Sequence, residues 1–277
     1  MKTKVISSVV ALFILCWVIP PTGGKAIPAN RSNLNNFGHF SAISEVRDNL
    51  SMAGYWVMEA PVPVPRENDV VIAYDNYLYV LGGYGSGGSS YRYDPLSDTW
   101  TQLATTDFEL EFLEDGCLGY NYRGEPIIAI FPNVYSDYDT MLFYNILHDW
   151  WGWGHPPGGG STFFDIASDP EHNVCYITGG QAAFMPENRF YAYYPATNTI
   201  EQLPSFTTGR HTHASWFIPQ WGEAGYVCIA GGSSTTLHAL NSTQCYDVAQ
   251  GVWRAENVDL GILPYEWWLV ADALKFV

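Results

Sequence analysis

The chain has 277 residues, of which 47% are hydrophobic, and its 28 acidic residues outnumber its 12 lysines and arginines, giving a formal net charge of −16. A surface this acidic repels nucleic acids and anionic membranes, so we expect neither as a partner. The length is sufficient for one large domain with a sizeable core.

The N-terminal residues have the pattern of a secretory signal peptide. Lys2 and Lys4 precede an apolar run over residues 5–20, and small residues follow at Gly24 and Ala26. This pattern predicts cleavage after Ala26 and export. The apolar run is shorter than a membrane span needs, and no later segment resembles one. We therefore expect a secreted protein, extracellular or alternatively periplasmic or at the cell surface, without a membrane span, and with an N-terminal segment at residues 27–53 that shows no clear repeat.

Four cysteines follow the predicted signal peptide, at positions 117, 175, 228 and 245. An exported protein can keep disulfides, although four cysteines do not make a disulfide scaffold. Cys228 and Cys245 fall on neighbouring predicted strands of one repeat, so they are the pair that we expect. The alternative is that the cysteines are small buried apolar residues.

The next feature in the chain is a four-stranded unit. Strands are predicted at residues 70–73, 77–81, 91–93 and 99–103. Asp75 and Asn76 between the first two strands form a tight-turn signal, which indicates an antiparallel hairpin. Two glycines end the second strand, where chains crowd and no side chain fits. The unit is therefore a four-stranded antiparallel meander.

This unit recurs with a period of about fifty residues. In each copy a tyrosine precedes a large apolar residue by seven positions, and in three copies a glycine pair follows the second strand. The predicted repeats span about 66–110, 116–160, 163–210 and 213–261, with a partial copy at 265–277. The repeated residues are Tyr93 and Trp100, Tyr144 and Trp151, Tyr193 and Ile200, Tyr246 and Trp253, with the pairs Gly82 and Gly83, Gly179 and Gly180, Gly231 and Gly232.

Paired glycines after an apolar strand, followed by tyrosine and then tryptophan, resemble kelch repeats of the galactose oxidase and kelch-like superfamily. The resemblance covers residues 54–277 and implies an all-β fold, a kelch-type β-propeller of about four complete blades and a partial fifth. Two alternatives remain open for the fifth blade. The C-terminal strands pair with an N-terminal outer strand at residues 55–58 and close a five-bladed ring, or the chain is truncated.

Candidate ligand-binding residues lie where the repeats differ. Trp150, Trp153 and His155 border a loop rich in proline and glycine, and tryptophans in such a place can stack on a sugar ring or on an apolar side chain of a partner. The alternative is packing between blades. Arg210 and His213 are candidates near the propeller axis, with a structural role as the alternative for His213.

No catalytic residue set, metal site or cofactor can be assigned from the sequence. His211 and His213 are spaced for one face of a strand and could share a metal ion, but no third ligand is evident. The expected function is that of a secreted, non-catalytic binding or scaffolding propeller that engages a protein or glycan through loops on one face. The alternative is a metal-dependent or carbohydrate-active propeller enzyme similar to galactose oxidase or a sugar mutarotase, although the copper ligands and tyrosines of galactose oxidase cannot be matched to positions here.

Overall fold

The structure is a computed structural model of the chain, and it describes residues 59–106, 113–132, 141–154, 162–182, 185–235 and 238–261. The predicted signal peptide, the N-terminal segment, the strand at 55–58, His155 and the partial repeat at 265–277 lie outside these residues. The described residues from 60 onward belong to one compact unit. They contain strands, turns and loops, and no helix among them could span a membrane.

The strands form four antiparallel sheets of four strands, which we call blades 1 to 4 in chain order. Within each blade, every strand pairs with the next one along the chain, apart from short hairpins inserted in blades 3 and 4. Blade 1 consists of β1 (Val70–Tyr74), β2 (Tyr77–Leu81), β3 (Tyr91–Asp94) and β4 (Thr99–Gln102). Blade 2 consists of β5 (Leu113–Tyr120), β6 (Pro126–Pro132), β7 (Met141–Asn145) and β8 (Trp150–Gly154).

Blade 3 consists of β9 (Asp165–Asp169), β10 (Val174–Thr178), β13 (Phe190–Tyr194) and β14 (Thr199–Gln202), with the hairpin β11 (Gln181–Ala182) and β12 (Met185–Pro186) inserted. Blade 4 consists of β15 (Ala214–Ile218), β16 (Tyr226–Ala230), β19 (Thr243–Asp247) and β20 (Val252–Trp253), with the hairpin β17 (Ser233–Thr235) and β18 (His238–Ala239) inserted. The two inserted hairpins were not predicted.

The blades are arranged as a β-propeller. The first strands of the four blades contact one another in chain order, β1 with β5, β5 with β9, and β9 with β15. The all-β fold of four-stranded antiparallel blades predicted from the repeats is thus confirmed. Asp75 and Asn76 in the first hairpin both have positive φ, at 49° and 65°, which is the backbone of the tight turn that the sequence indicated.

Apolar side chains fill the space between neighbouring blades, because a single four-stranded sheet cannot bury its faces alone. Between blades 1 and 2, Tyr144 and Trp151 pack with side chains of β1 and β2 such as Ile72 and Tyr79. A second cluster lies between blades 2 and 3 and a third between blades 3 and 4. Five of the repeated residues lie in these clusters, namely Tyr144, Trp151, Tyr193, Tyr246 and Trp253.

A residue between the repeated tyrosine and tryptophan shapes the turn that joins the two outer strands of a blade. Asp98, Asp149 and Asn198 have φ between 49° and 52°, and Gly251 stands in the same place with φ 68°. The hydroxyl of Tyr144 donates to Asp149 Oδ1 at 2.7 Å, and the equivalent tyrosines of blades 1 and 3 donate to Asp98 and Asn198. Asp and Asn accept this left-handed backbone more readily than other side chains.

The repeated tryptophan of blades 1, 2 and 4 donates a hydrogen bond to the chain segment that precedes its blade. The indole Nε1 of Trp151 donates to the carbonyl oxygen of Ala104 at 2.8 Å, just after the outer strand of blade 1. Trp253 donates to Pro204 in the same way at 2.7 Å, just after the outer strand of blade 3. In blade 1, Trp100 donates to Ala60 at 2.8 Å. The bonds of Trp151 and Trp253 fix the outer strands of blades 2 and 4 relative to those of the preceding blades.

The glycine pairs lie where the backbone passes close to the segment that leads into the first strand. Gly232 has φ 81°, and a Cβ on it would lie 2.6 Å from the carbonyl oxygen of His211. A Cβ on Gly179, with φ 60°, would lie 2.5 Å from the carbonyl oxygen of Arg210. Both the conformation and the lack of space require glycine.

The four described cysteines form two disulfides. Cys228 and Cys245 are direct register partners on β16 and β19 of blade 4 and are bonded to each other. Cys117 on β5 is bonded to Cys175 on β10, so this disulfide joins blade 2 to blade 3. The second bond was not predicted, because its cysteines belong to different repeats.

Candidate binding edge on blade 2

Strand β8, Trp150–Gly154, has the sequence WWGWG and forms the outer end of blade 2. We call this strand the blade-2 edge. In the described part of the chain it pairs with β7 alone, with Tyr144 opposite Trp151 and Leu142 opposite Trp153. It is the last strand of its sheet among the described residues.

The blade-2 edge differs from the equivalent strands at two positions. When Trp151 is aligned with Trp100 and Ile200, Trp150 corresponds to threonine in blades 1 and 3, and Trp153 corresponds to glutamine in both. Trp150 is 49% exposed and Trp153 is 60% exposed. Two large apolar side chains are therefore held at the surface where the other blades carry small or polar ones.

The two exposed tryptophans lie on opposite faces of the sheet. Side chains alternate along a strand, so Trp153 shares a face with Trp151, and Trp150 lies on the other face. The ring of Trp151 packs against Tyr144 with 5.2 Å between centroids. The ring of Trp150 covers Gly152, since a Cβ on that glycine would lie 2.5 Å from Trp150 Cζ3. A single sugar ring cannot stack on both exposed tryptophans.

An anionic group lies at the start of β6 in blade 2. The side-chain amides of Asn121 and Asn145 each donate to Glu125 Oε2 at 2.9 Å, and Asn145 is the register partner of Trp150. These hydrogen bonds, with a smaller contribution from His148, lower the pKa of Glu125. The carboxylate is therefore charged at neutral pH, and it is hydrogen-bonded to Asn145 of β7.

Arg210 is buried in blade 4. Its guanidinium donates to the carbonyl oxygens of Gly231 and Ser242 and to the hydroxyl of Ser242, at 3.0 to 3.1 Å. Burial lowers the pKa of Arg210 to about 10, so it remains charged at neutral pH. Arg66 makes the same set of bonds in blade 1, to Gly82 and Ser89. These contacts brace blades 1 and 4 internally, and a ligand contact by Arg210 stays a prediction.

His213 lies buried between blades 3 and 4, where its Nε2 is 2.8 Å from the hydroxyl of Thr178. The structure therefore places neither Arg210 nor His213 beside the blade-2 edge, and these candidates form two separate groups. Within the described ranges, no group of three His, Cys, Asp or Glu side chains is arranged to hold a metal ion. His155 lies outside the described residues.

A cavity of about 280 Å³ lies where the first strands of the four blades meet. Its walls are mainly apolar and include Val71, Leu118 and Trp216. Asp169 also lines it, and the carboxylate of Asp169 is 2.9 Å from His172 Nδ1. The cavity is large enough for a small molecule, and it is separate from the outer strands.

Four antiparallel four-stranded blades form a β-propeller, and its repeated glycine pairs, tyrosines and tryptophans are similar to those of kelch repeats. The chain is 25% identical over 200 residues to Kelch-like protein 36 of Bos taurus. The match covers 67% of this chain and 30% of that protein. Kelch-like protein 36 of Rattus norvegicus gives the same identity and coverage. The chain thus spans less than a third of the length of these curated relatives.

The solved structure entitled "Structure of YjhT" is similar to this protein with a TM-score of 0.54, over 73% of this chain and 74% of that one. The sequence identity is 12%, so the likeness concerns the fold alone. No protein-family model matches the chain.

Proposed function

We propose that this protein is a secreted, non-catalytic binding scaffold, whose propeller engages a protein or glycan through the blade-2 edge. The observation that carries the proposal is the exposure of Trp150 and Trp153 in a strand whose counterparts in blades 1 and 3 have threonine and glutamine. Exposed tryptophans are frequent among the few residues that supply most of the energy of an interface.

The exposed area is sufficient to contribute to binding. Trp150 and Trp153 are 49% and 60% exposed, so together they leave on the order of 200 Å² of aromatic surface in water. Covering that area would contribute at most about 5 kcal/mol, before the cost of ordering two partners is subtracted. This is enough for a hot spot, and further contacts would have to supply the rest of the affinity.

Blade 2 is connected to both of its neighbouring blades. Trp151 connects it to blade 1 through its bond to Ala104, and the Cys117–Cys175 disulfide connects blade 2 to blade 3. A surface that is already ordered loses little conformational entropy on binding. This rigidity supports a scaffold that presents a fixed surface.

Two features support secretion. The first 26 residues have the pattern of a signal peptide, and the four cysteines of the described chain are joined in two disulfides. Disulfides form and persist in oxidising compartments.

The test is binding to arrays of extracellular proteins and glycans by the double variant Trp150→Thr with Trp153→Gln, which gives blade 2 the residues of blades 1 and 3. Leu96→Asn is the matched control, because Leu96 is 72% exposed in the equivalent turn of blade 1. We expect at least a roughly tenfold loss for the double variant and none for the control. Equal binding by the double variant and the unmodified protein would refute the proposal.

A further inference from the structure

We infer that the cavity between the first strands of the blades is a second binding site, which takes a small organic cation with an aromatic body and a hydroxyl group. The cavity has a volume of about 280 Å³ and lies apart from the blade-2 edge, so this inference does not depend on the proposed function. An apolar cavity of about 150 Å³ binds benzene, so the larger volume accommodates a molecule of roughly ten to twelve non-hydrogen atoms.

The cavity has an open mouth and a buried inner wall. Ala73, Glu171 and Pro219 line it and are exposed, and they lie close to the ends of β1, β9 and β15. Ile166 and Ser215 also line it, and each is only 1% exposed. A small molecule therefore enters beside the turns that follow the first strands, without any opening of the sheets.

The inner wall carries a buried hydroxyl group that is open to a ligand. The Oγ of Ser215 has no hydrogen-bond partner among the described residues. The backbone N–H of Ser215 already donates to the carboxylate of Asp165. A buried hydroxyl without a partner costs free energy, which a ligand hydroxyl at this position would recover.

The charged and aromatic residues of the cavity favour a cation. Asp169 and Glu171 line it, whereas its described walls include no lysine or arginine. His172 Nδ1 lies 2.9 Å from one carboxylate oxygen of Asp169, and that carboxylate retains further lone pairs. Trp216 and Phe217 also line the cavity, and aromatic faces attract cations. An ammonium group is thus stabilised here, while a carboxylate is repelled.

The remaining walls select an apolar body. Val71 of blade 1, Leu118 of blade 2 and Ile166 of blade 3 each contribute an aliphatic side chain. Sites for small molecules generally combine such walls with a few polar groups that fix the orientation of the ligand. The ligand class is therefore a hydroxylated aromatic amine.

The test is isothermal titration calorimetry with three molecules that share a phenol ring, namely tyramine, tyrosol and 4-hydroxyphenylacetate. Their side chains end in an ammonium, a neutral hydroxyl and a carboxylate. We expect tyramine to bind at least roughly tenfold more tightly than tyrosol, and 4-hydroxyphenylacetate to bind most weakly. Phenethylamine, which lacks the phenol hydroxyl, is the fourth probe.

Two substitutions locate the bound tyramine. Ser215→Ala should weaken tyramine roughly tenfold and leave phenethylamine unchanged. Because the Ser215 hydroxyl is unpaired, its removal should not lower the melting temperature. Glu171→Gln should weaken tyramine roughly fivefold and leave tyrosol unchanged. Glu201→Gln is the matched control, since Glu201 lies on the outer strand β14 and should leave every affinity unchanged.

Three outcomes would overturn the inference. The first is no binding of tyramine up to about 5 mM. The second is equal affinity for tyramine, tyrosol and 4-hydroxyphenylacetate. The third is tyramine binding that neither Ser215→Ala nor Glu171→Gln weakens, because the ligand would then lie elsewhere. The double variant with Trp150→Thr and Trp153→Gln should bind tyramine normally, so failure of this site and failure of the blade-2 edge are observed separately.

Discussion

Because the Cys117–Cys175 disulfide joins blades 2 and 3, we predict that replacing both of its cysteines lowers the free energy of unfolding. The bond joins residues 58 positions apart, whereas the Cys228–Cys245 bond closes a separation of 17 within blade 4. Restricting the unfolded chain contributes about 4 kcal/mol for the longer loop and about 3 kcal/mol for the shorter one. All four cysteines are buried, so alanine is the replacement that avoids a buried hydroxyl group.

The free energy of unfolding is measured by urea denaturation of the unmodified protein and the two double variants. We expect Cys117→Ala with Cys175→Ala to lose about 4 kcal/mol, and Cys228→Ala with Cys245→Ala to lose about 3 kcal/mol. Alkylation of the unfolded, unreduced protein should label none of the four cysteines. A loss below about 1 kcal/mol for the first variant would refute the view that this disulfide holds the two blades together.

Three further changes test the contacts within the fold. Trp151→Phe removes the indole donor to Ala104 and should lower the free energy of unfolding by about 1 kcal/mol. Gly232→Ala places a Cβ 2.6 Å from the His211 carbonyl at φ 81° and should cost about 3 kcal/mol. Burial lowers the pKa of His211 below 6.5 in the folded protein. The free energy of unfolding should therefore fall as pH drops below about 6.5, because the unfolded chain takes up a proton there that the buried imidazole of the folded protein does not. His211→Gln should reduce this pH dependence.

Each of these changes has a matched control, and urea denaturation measures all of them. Trp150→Phe alters an exposed indole and should leave stability within about 0.5 kcal/mol. Gly124 has φ 76° with open space around it, so Gly124→Ala should cost about 1 kcal/mol and isolate the strain from the clash. His148→Gln removes an exposed histidine that contacts Glu125 and leaves the buried His211 in place, so the acid dependence assigned to His211 should remain. If a control variant loses as much free energy of unfolding as the variant it is paired with, the role given to the corresponding contact is wrong.

The propeller could be predicted because the repeated residues stand at fixed spacings within each copy, and few residue types can occupy those positions. The glycine pairs, which have positive φ in the structure, and the tyrosine seven residues before a tryptophan can be seen in the sequence without any long-range information. The turn position occupied by Asp98 and Asp149 was not predicted. It always lies five residues after the repeated tyrosine and two before the large apolar residue, and this constant place in the sequence would have been a usable signal.

Contacts between repeats could not be predicted in the same way. The Cys117–Cys175 bond depends on where β5 of one blade meets β10 of the next, which no local pattern gives. Trp150 and Trp153 were recognised as candidates, but their placement on opposite faces required the register between β7 and β8. Arg210 was assigned near the axis from its neighbours in sequence, and its bonds to Gly231 and Ser242 depend on the fold of its whole blade.

The most direct test of the proposed function is photocrosslinking from the blade-2 edge. A benzophenone amino acid is placed at Trp153, and in a second protein at Gln102, the equivalent position in the outer strand of blade 1. Each labelled protein is irradiated with a protein or glycan recovered from the arrays. The account predicts a covalent adduct from position 153 and none from position 102. Equal adducts from both positions, or an adduct from position 102 alone, would contradict it.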